Sequence, residues 1–384
     1  MTPGADPLAY APDSVPHPGE TLQDTLDALG IPQADLARRT GLSTKHINQV
    51  IKGTAPLSPD TALLLERTTG VPASMWNALE AAYRTQQARE EESKSLASRV
   101  DWLSHFPLAE LVKLKILPNR EKTIANLLTL LDWFAVADPD TAEDVWRNYR
   151  TAFRRSTVQE PAERTAAEYA TAVWLRLAEL RARDLIKDLA PLPYSKHGLT
   201  ALLPKLRALT LTDQDTWAEE LPRLCAGVGV AVVFVPALPK TKVSGATRWL
   251  TPDKVMVALS DRFKRDDQFW FSFFHELGHV LLHGKRLTFM DDSDNLRSGT
   301  QTDPAEDEAN EFAATTLIPH SHAAGYQQLR GRPMPFDRIK AFARDAGVSP
   351  GIVVGRLQHD GALAWSHGND LKRPVALAWQ PATD

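Results

Sequence analysis

The chain has 384 residues, enough for two or three domains, and its 43% hydrophobic and 24% charged residues match an ordinary soluble globular protein. A net charge of −4 excludes a uniformly basic polynucleotide binder but leaves room for a local DNA-reading face. A single cysteine, Cys225, excludes an internal disulfide and a cysteine-rich zinc site, and it fits a reducing compartment.

Met1 to Pro18 is rich in Pro, Gly and Asp and has no basic start followed by an apolar stretch. It reads as a disordered lead rather than a signal peptide. The longest apolar run, Val228 to Val235, is far too short for a bilayer span, so the expectation is a cytoplasmic protein without membrane contact. A five-helix module is expected over residues 19–84. Within it, Gln33 to Gly53 fits a helix–turn–helix: Leu36, Ala37, Ile47 and Val50 supply the contacts between the two helices, Gly41 the turn and Ser43 the cap. The second helix offers Thr44, Lys45, Asn48 and Gln49, and Gln33 and Ser43 sit at the two helix starts. These are side chains suited to base edges and phosphates of double-stranded DNA. A helical hairpin used for protein contacts is the other reading of the same segment, because Asp24, Asp27, Asp35, Asp60 and Glu66 offset its basic residues. If it binds DNA, a homodimer reading two half-sites is expected.

Residues 85–215 read as a helical connector region. It starts with the solvated run Arg89-Glu90-Glu91-Glu92, and Leu127, Leu130, Leu131 and Phe134 share one apolar face. From residue 216 to 384 the pattern changes. Val228 to Val235, Val243 to Leu250 and Lys254 to Leu259 read as strands, with a turn at Thr251-Pro252-Asp253. Helices follow over Asp267 to His283 and Ala305 to Leu317, with a polar loop from Leu287 to Pro304 between them. A helical pair over Phe336 to Ala346 and Ser349 to Gln358 ends the pattern; Ile352, Val353, Val354 and Leu357 mark it as a structural cap. The fold class is therefore mainly α with a small β-sheet.

The strongest chemical signal is His275-Glu276-Leu277-Gly278-His279 on the first of those helices. Residues four apart share a helix face, so His275 and His279 can aim two imidazoles at one ion. Glu276 lies about 100° further round, outside the ligand set. A Zn2+ held there lowers the pKa of its water to roughly 7, and Glu276 is placed to take the proton as that water attacks a peptide carbonyl. The third ligand is sought in Glu306-Asp307-Glu308-Ala309-Asn310-Glu311-Phe312-Ala313. Ala309, Ala313, Thr316 and Leu317 mark the inward face, and Glu306 lies on it; a buried carboxylate calls for a cation. Glu306 is the choice, with Glu308 in reserve, and Asn310 is placed to hydrogen-bond a ligand. His283 reads as a helix-end residue, with a spare ligand or a transition-state donor as its other readings, and His320 and His322 as surface residues. The strand with Ser244-Gly245-Ala246 would let an extended peptide pair along it, unless it is a plain sheet edge.

Pro18-Gly19-Glu20, the helix–turn–helix and Met75-Trp76-Asn77-Ala78-Leu79-Glu80-Ala81-Ala82-Tyr83 resemble a HigA-type antitoxin domain of the XRE class. His275 to His279, Glu306 to Ala313, Leu317-Ile318-Pro319, Val348-Ser349-Pro350 and Arg356-Leu357 resemble the ImmA/IrrE metallo-endopeptidase family. That resemblance implies a gluzincin-like zinc site with His275, His279 and a downstream Glu as ligands and Glu276 as general base. It also implies cleavage of a helix–turn–helix repressor, which derepresses stress or mobile-element genes. The expected function is thus a zinc-dependent regulatory endopeptidase. The alternative is a DNA-binding repressor or antitoxin whose peptidase-like domain senses a metal or ligand.

Overall fold

Helices in this chain begin where a short polar side chain can satisfy their first free N–H groups. Ser43, Ser58, Thr123, Ser195 and Asp213 each accept a hydrogen bond from the backbone three residues on. The structure, a computed structural model, describes residues 15–153, 161–283, 289–291, 304–330 and 335–377. They fall into two compact units, Met1–Val100 and Asp101–Asp384, and the whole is mainly α with one small sheet. No helix among the described residues is long and apolar enough to cross a membrane.

The first unit holds α1 (Pro18–Leu29), α2 (Gln33–Thr40), α3 (Thr44–Ile51), α4 (Pro59–Thr69) and α5 (Ala73–Ala97). Leu22, Leu26, Leu36, Ile47, Leu65 and Trp76 are fully buried at its centre. Most of the expected lead, residues 1–14, lies outside the described residues. The described part is packed: the His17 ring is buried, accepts a hydrogen bond from Gly19 N at 2.8 Å and meets Tyr83 edge-on at 4.7 Å. The acidic run Arg89 to Glu92 is exposed on α5, which continues through it to Ala97.

In the second unit, α6 (Leu108–Lys113), α7 (Ile124–Phe134), α8 (Pro139–Phe153), α9 (Pro161–Leu189), α10 (Lys196–Ala208) and α11 (Gln214–Ala226) precede the sheet. Trp102, Phe106, Phe134, Trp146 and Tyr169 form a buried aromatic cluster, with Trp102 Nε1 donating to Tyr169 Oη at 3.1 Å. Cys225 is buried on α11, and burial pushes its thiol pKa up, away from reactivity.

The sheet comprises β1 (Val230–Phe234), β2 (Gly245–Thr251), β3 (Lys254–Leu259) and β4 (Phe289–Asp291), in the order β1-β3-β2-β4. β1 runs parallel to β3, whereas β2 is antiparallel to both β3 and β4. Three strands fall within two residues of the sequence reading. β4 corrects it, because residues 289–291 lie in the segment expected as a polar loop; residues 292–303 of that segment lie outside the described residues. β4 pairs Asp291, Met290 and Phe289 with Gly245, Ala246 and Thr247. The stretch of β2 expected to be open to a peptide is therefore already paired. Edge N–H and C=O groups take a partner from wherever the chain returns, and such a non-local pairing leaves no trace in local composition.

One face of the sheet carries α12 (Asp266–Leu282), against which α13 (Pro304–Leu317) lies. The last helices are α14 (Ala323–Leu329), α15 (Phe336–Ala346) and α16 (Pro350–His359). Ile352, Val353, Val354 and Leu357 are buried, as a structural cap requires. The cap is also polar at its contact with α12. Asp266 accepts from Ser349 Oγ (2.8 Å) and Arg373 N (2.9 Å), and Lys372 Nζ reaches Asp267 at 2.6 Å and Gln358 Oε1 at 2.7 Å. Gly351 and Gly355 make room: β-carbons there would stand 2.5 Å and 2.6 Å from the two Asp carboxylates. The start of the histidine-bearing helix is thus clamped by charges that the sequence reading did not single out.

Candidate metal centre

Helix α12 is apolar nearly all round, and Phe269, Trp270, Phe273, Phe274 and Leu277 are buried in the main core. Burial on every side leaves few places for polar groups; besides the clamped Asp266 and Asp267 and the small Ser272, the buried polar side chains are His275, Glu276 and His279, each at most 1% exposed. The helix spacing brings the two imidazoles together edge to face, 81° apart, so that His275 Nε2 and His279 Nε2 are 3.0 Å apart.

α13 supplies the third group. A β-carbon on Gly278 would lie 3.1 Å from Ala309 Cα and 3.3 Å from Ala309 Cβ, so two small residues let the helices approach closely. At that separation Glu306 Oε2 reaches His275 Nε2 at 3.2 Å, and Glu306 Oε1 reaches His279 Nε2 at 3.6 Å. The three ligand atoms lie within 4.8 Å of one another. A tetrahedral zinc with bonds near 2.0–2.1 Å sets its ligand atoms about 3.3 Å apart, and two imidazoles with one carboxylate are donors it takes. The donor set therefore fits zinc. Glu308, the reserve ligand, is not brought to this cluster.

The electrostatics follow from the geometry. Burial disfavours an ionised Glu306, but hydrogen bonds from His275 and His279 outweigh it and hold the carboxyl down at about 2. Burial chiefly lowers His279 to about 4, against the opposing pull of Glu306. Both groups are thus in the forms a cation requires at neutral pH: an ionised carboxylate and a neutral imidazole.

Outside the three donors, Asn310 Oδ1 stands 2.9 Å from His275 Nδ1, the place the sequence reading gave it. Thr247 Oγ1 lies 2.6 Å from Glu276 Oε2 and 3.2 Å from the Glu276 carbonyl. Gly245 sits beside Glu276 as well: a β-carbon there would lie 2.7 Å from Oε1. In sequence Gly245 reads as room for a peptide or as part of a plain sheet edge, whereas the room is filled by Glu276. Thr247 was missed; the period-2 alternation of β2, which turns 245 and 247 to one face, is the signal that could have found it. His283 caps α12 and meets His279 Nδ1 with its own Nδ1 at 2.9 Å. His320 is exposed and His322 half-buried, so neither joins the cluster.

In the first unit, α2 and α3 meet at Gly41, whose φ of +73° favours glycine. Ser43 caps α3 through His46 N at 3.1 Å. Ser43, Thr44 and Lys45 are exposed, and Asn48 and Gln49 half-buried. Gln33 donates to Gln23 Oε1 at 2.8 Å and lies 3.5 Å from Asn48 Nδ2, which places all six expected DNA-facing residues at the two helix starts and along α3.

Comparison with known proteins divides along the same lines. Residues 225–358 match the family model described as an IrrE N-terminal-like domain, and residues 22–76 match one described as helix-turn-helix. Virulence-associated protein I of Dichelobacter nodosus is 31% identical over 77 residues, 20% of this chain and 71% of that protein. The uncharacterized HTH-type transcriptional regulator YddM of Escherichia coli K12 is 27% identical over 85 residues, 22% of this chain and 90% of that protein. Among solved structures, an addiction module antidote protein of a HigA family from Coxiella burnetii is 27% identical, with a TM-score of 0.21, covering 22% of this chain and 92% of its own. The chain accordingly belongs to the helix-turn-helix family through residues 22–76 and carries an IrrE N-terminal-like domain over residues 225–358.

Proposed function

We propose that the protein is a zinc-dependent regulatory endopeptidase that acts in the cytoplasm and cleaves a helix–turn–helix repressor, so derepressing stress or mobile-element genes. The observation that carries this reading is the convergence of His275, His279 and Glu306 on one point, with the buried carboxylate of Glu276 next in sequence. His275, His279 and Glu306 hold the metal, and Asn310 fixes the His275 ring. When bound, zinc supplies Lewis-acid polarisation and a nucleophile at neutral pH. Glu276 is the general base that takes the proton released during attack on the peptide carbonyl, and Thr247 holds one of its oxygens in place. Gln33, Ser43, Thr44, Lys45, Asn48 and Gln49 are the residues that would meet double-stranded DNA, the protein binding two half-sites as a homodimer.

The deciding experiment incubates zinc-loaded protein with candidate helix–turn–helix repressors and reads the fragments by mass spectrometry. Wild-type protein yields one defined cut, whereas Glu276→Gln binds zinc and yields none. Cleavage by Glu276→Gln at the wild-type rate sinks the catalytic assignment.

The helix-turn-helix match of residues 22–76, together with the 27% identity over 85 residues to an HTH-type transcriptional regulator, favours a second reading: a DNA-binding repressor or antitoxin whose peptidase-like domain senses a metal or ligand. On that reading zinc alters operator binding, and no repressor is cut by the wild-type protein.

A further inference from the structure

We propose that His283 and Glu308 are positioning residues for the metal centre, forming an outer arm that fixes the tautomer and orientation of His279. The proposal rests on the zinc reading above and extends it to residues outside the donor set. His279 Nε2 faces His275 and Glu306, so it is the nitrogen a metal would take, and it must carry no proton. The neutral ring then bears its proton on Nδ1, and Nδ1 lies 2.9 Å from His283 Nδ1. That contact is a hydrogen bond only if His283 accepts through Nδ1, which leaves the His283 proton on Nε2. Nε2 in turn stands 3.1 Å from Glu308 Oε2, a carboxylate able to accept it. Each link has one donor and one acceptor, and the direction is set from the metal outward.

The arrangement parallels the other ligand. His275 has its Nδ1 against Asn310 Oδ1 at 2.9 Å, so each imidazole has a partner on the nitrogen turned away from the metal. Such partners lock ring orientation and raise ligand basicity, and their loss typically costs 10- to 100-fold in metal affinity. The His283 side chain is 10% exposed and that of Glu308 64% exposed. An exposed carboxylate contributes little by charge alone. Its effect here passes through the nearly buried imidazole, whose tautomer it selects. Glu308 lies only two residues from Glu306 on α13, about half a turn round, and is connected to the centre through one intervening ring.

The test measures zinc affinity of the full-length protein by competition with a chromophoric chelator, alongside the thermal midpoint of the metal-free form. His283→Ala is expected to weaken zinc binding about 10- to 100-fold, with the metal-free midpoint nearly unchanged. His283→Gln, which can accept from His279 and donate to Glu308, recovers most of the loss. Glu308→Ala loses several-fold, and adding it to His283→Ala loses nothing more, because Glu308 acts through His283. Unchanged affinity in His283→Ala while the wild type binds one zinc overturns the arm. So does a Gln variant no better than Ala, or additive losses in the double variant. A wild type that binds no zinc fails differently, since it removes the metal reading itself.

Discussion

A β-carbon at Gly245 would stand 2.7 Å from Oε1 of Glu276 and 2.8 Å from its Cγ, so β2 lies against this buried carboxylate only because residue 245 has no side chain. Thr247, two residues on, reaches the other carboxylate oxygen at 2.6 Å. The strand thus sets the position of the proposed base from outside the helix that carries it. Gly245→Ala should displace Glu276 and lower the rate of repressor cleavage on the order of 100-fold, while zinc stays bound. Single-turnover cleavage together with zinc content checks this; an unaltered rate would show that the base tolerates displacement.

The approach of α12 to α13 depends on Gly278, whose missing β-carbon would sit 3.1 Å from Ala309 Cα. Gly278→Val should force the two helices apart, at a cost of about 1–3 kcal/mol in stability. Glu306 would then fall short of the histidines and zinc affinity should drop with it. Chelator competition and chemical denaturation, run on one preparation, should show both losses.

Acid should weaken the metal-free protein in a defined window. Burial holds His279 at about 4, against its ordinary 6.5, so between those values an unfolded chain takes up a proton that the folded chain refuses. Stability therefore falls as pH drops from 6.5 toward 4, on the order of 3 kcal/mol from this residue. Glu306, held at about 2 against an ordinary 4.5, extends the decline in the same direction below pH 4.5. Urea midpoints of the metal-free protein should trace this slope, and His279→Gln should flatten the portion between pH 6.5 and 4.

The clamp on the start of α12 should prove essential to the second unit. Lys372 and Asp267 side chains are 6% and 3% exposed and 2.6 Å apart. Lys372→Met leaves a buried carboxylate beside the buried Asp266, at a cost of about 3–5 kcal/mol. Asp267→Asn in the same chain should restore a large part, because it removes the uncompensated charge. A midpoint for Lys372→Met equal to that of wild type would show that water reaches the pair.

Much of the fold is written in local pattern. The helix–turn–helix is legible because caps, a left-handed glycine and apolar spacing act over a few residues. Strand β3 and helix α15 fall on the expected residues for the same reason. The pairing of β4 with β2 is not legible, since a three-residue strand supplies backbone groups and no distinctive composition. Gly245 was legible as a place of close approach but not as to what approaches.

For the candidate centre the division is similar. Helical periodicity by itself determined that His275 and His279 share a face and that Glu276 does not share it, because four residues make about one turn whatever the surroundings. Only tertiary structure decided between Glu306 and Glu308. The fit of Gly278 against Ala309 brings one carboxylate within 3.2 Å of His275, while the other faces His283. That choice depends on the distance and rotation between two helices, which are fixed by packing across the pair and by no residue spacing within either one.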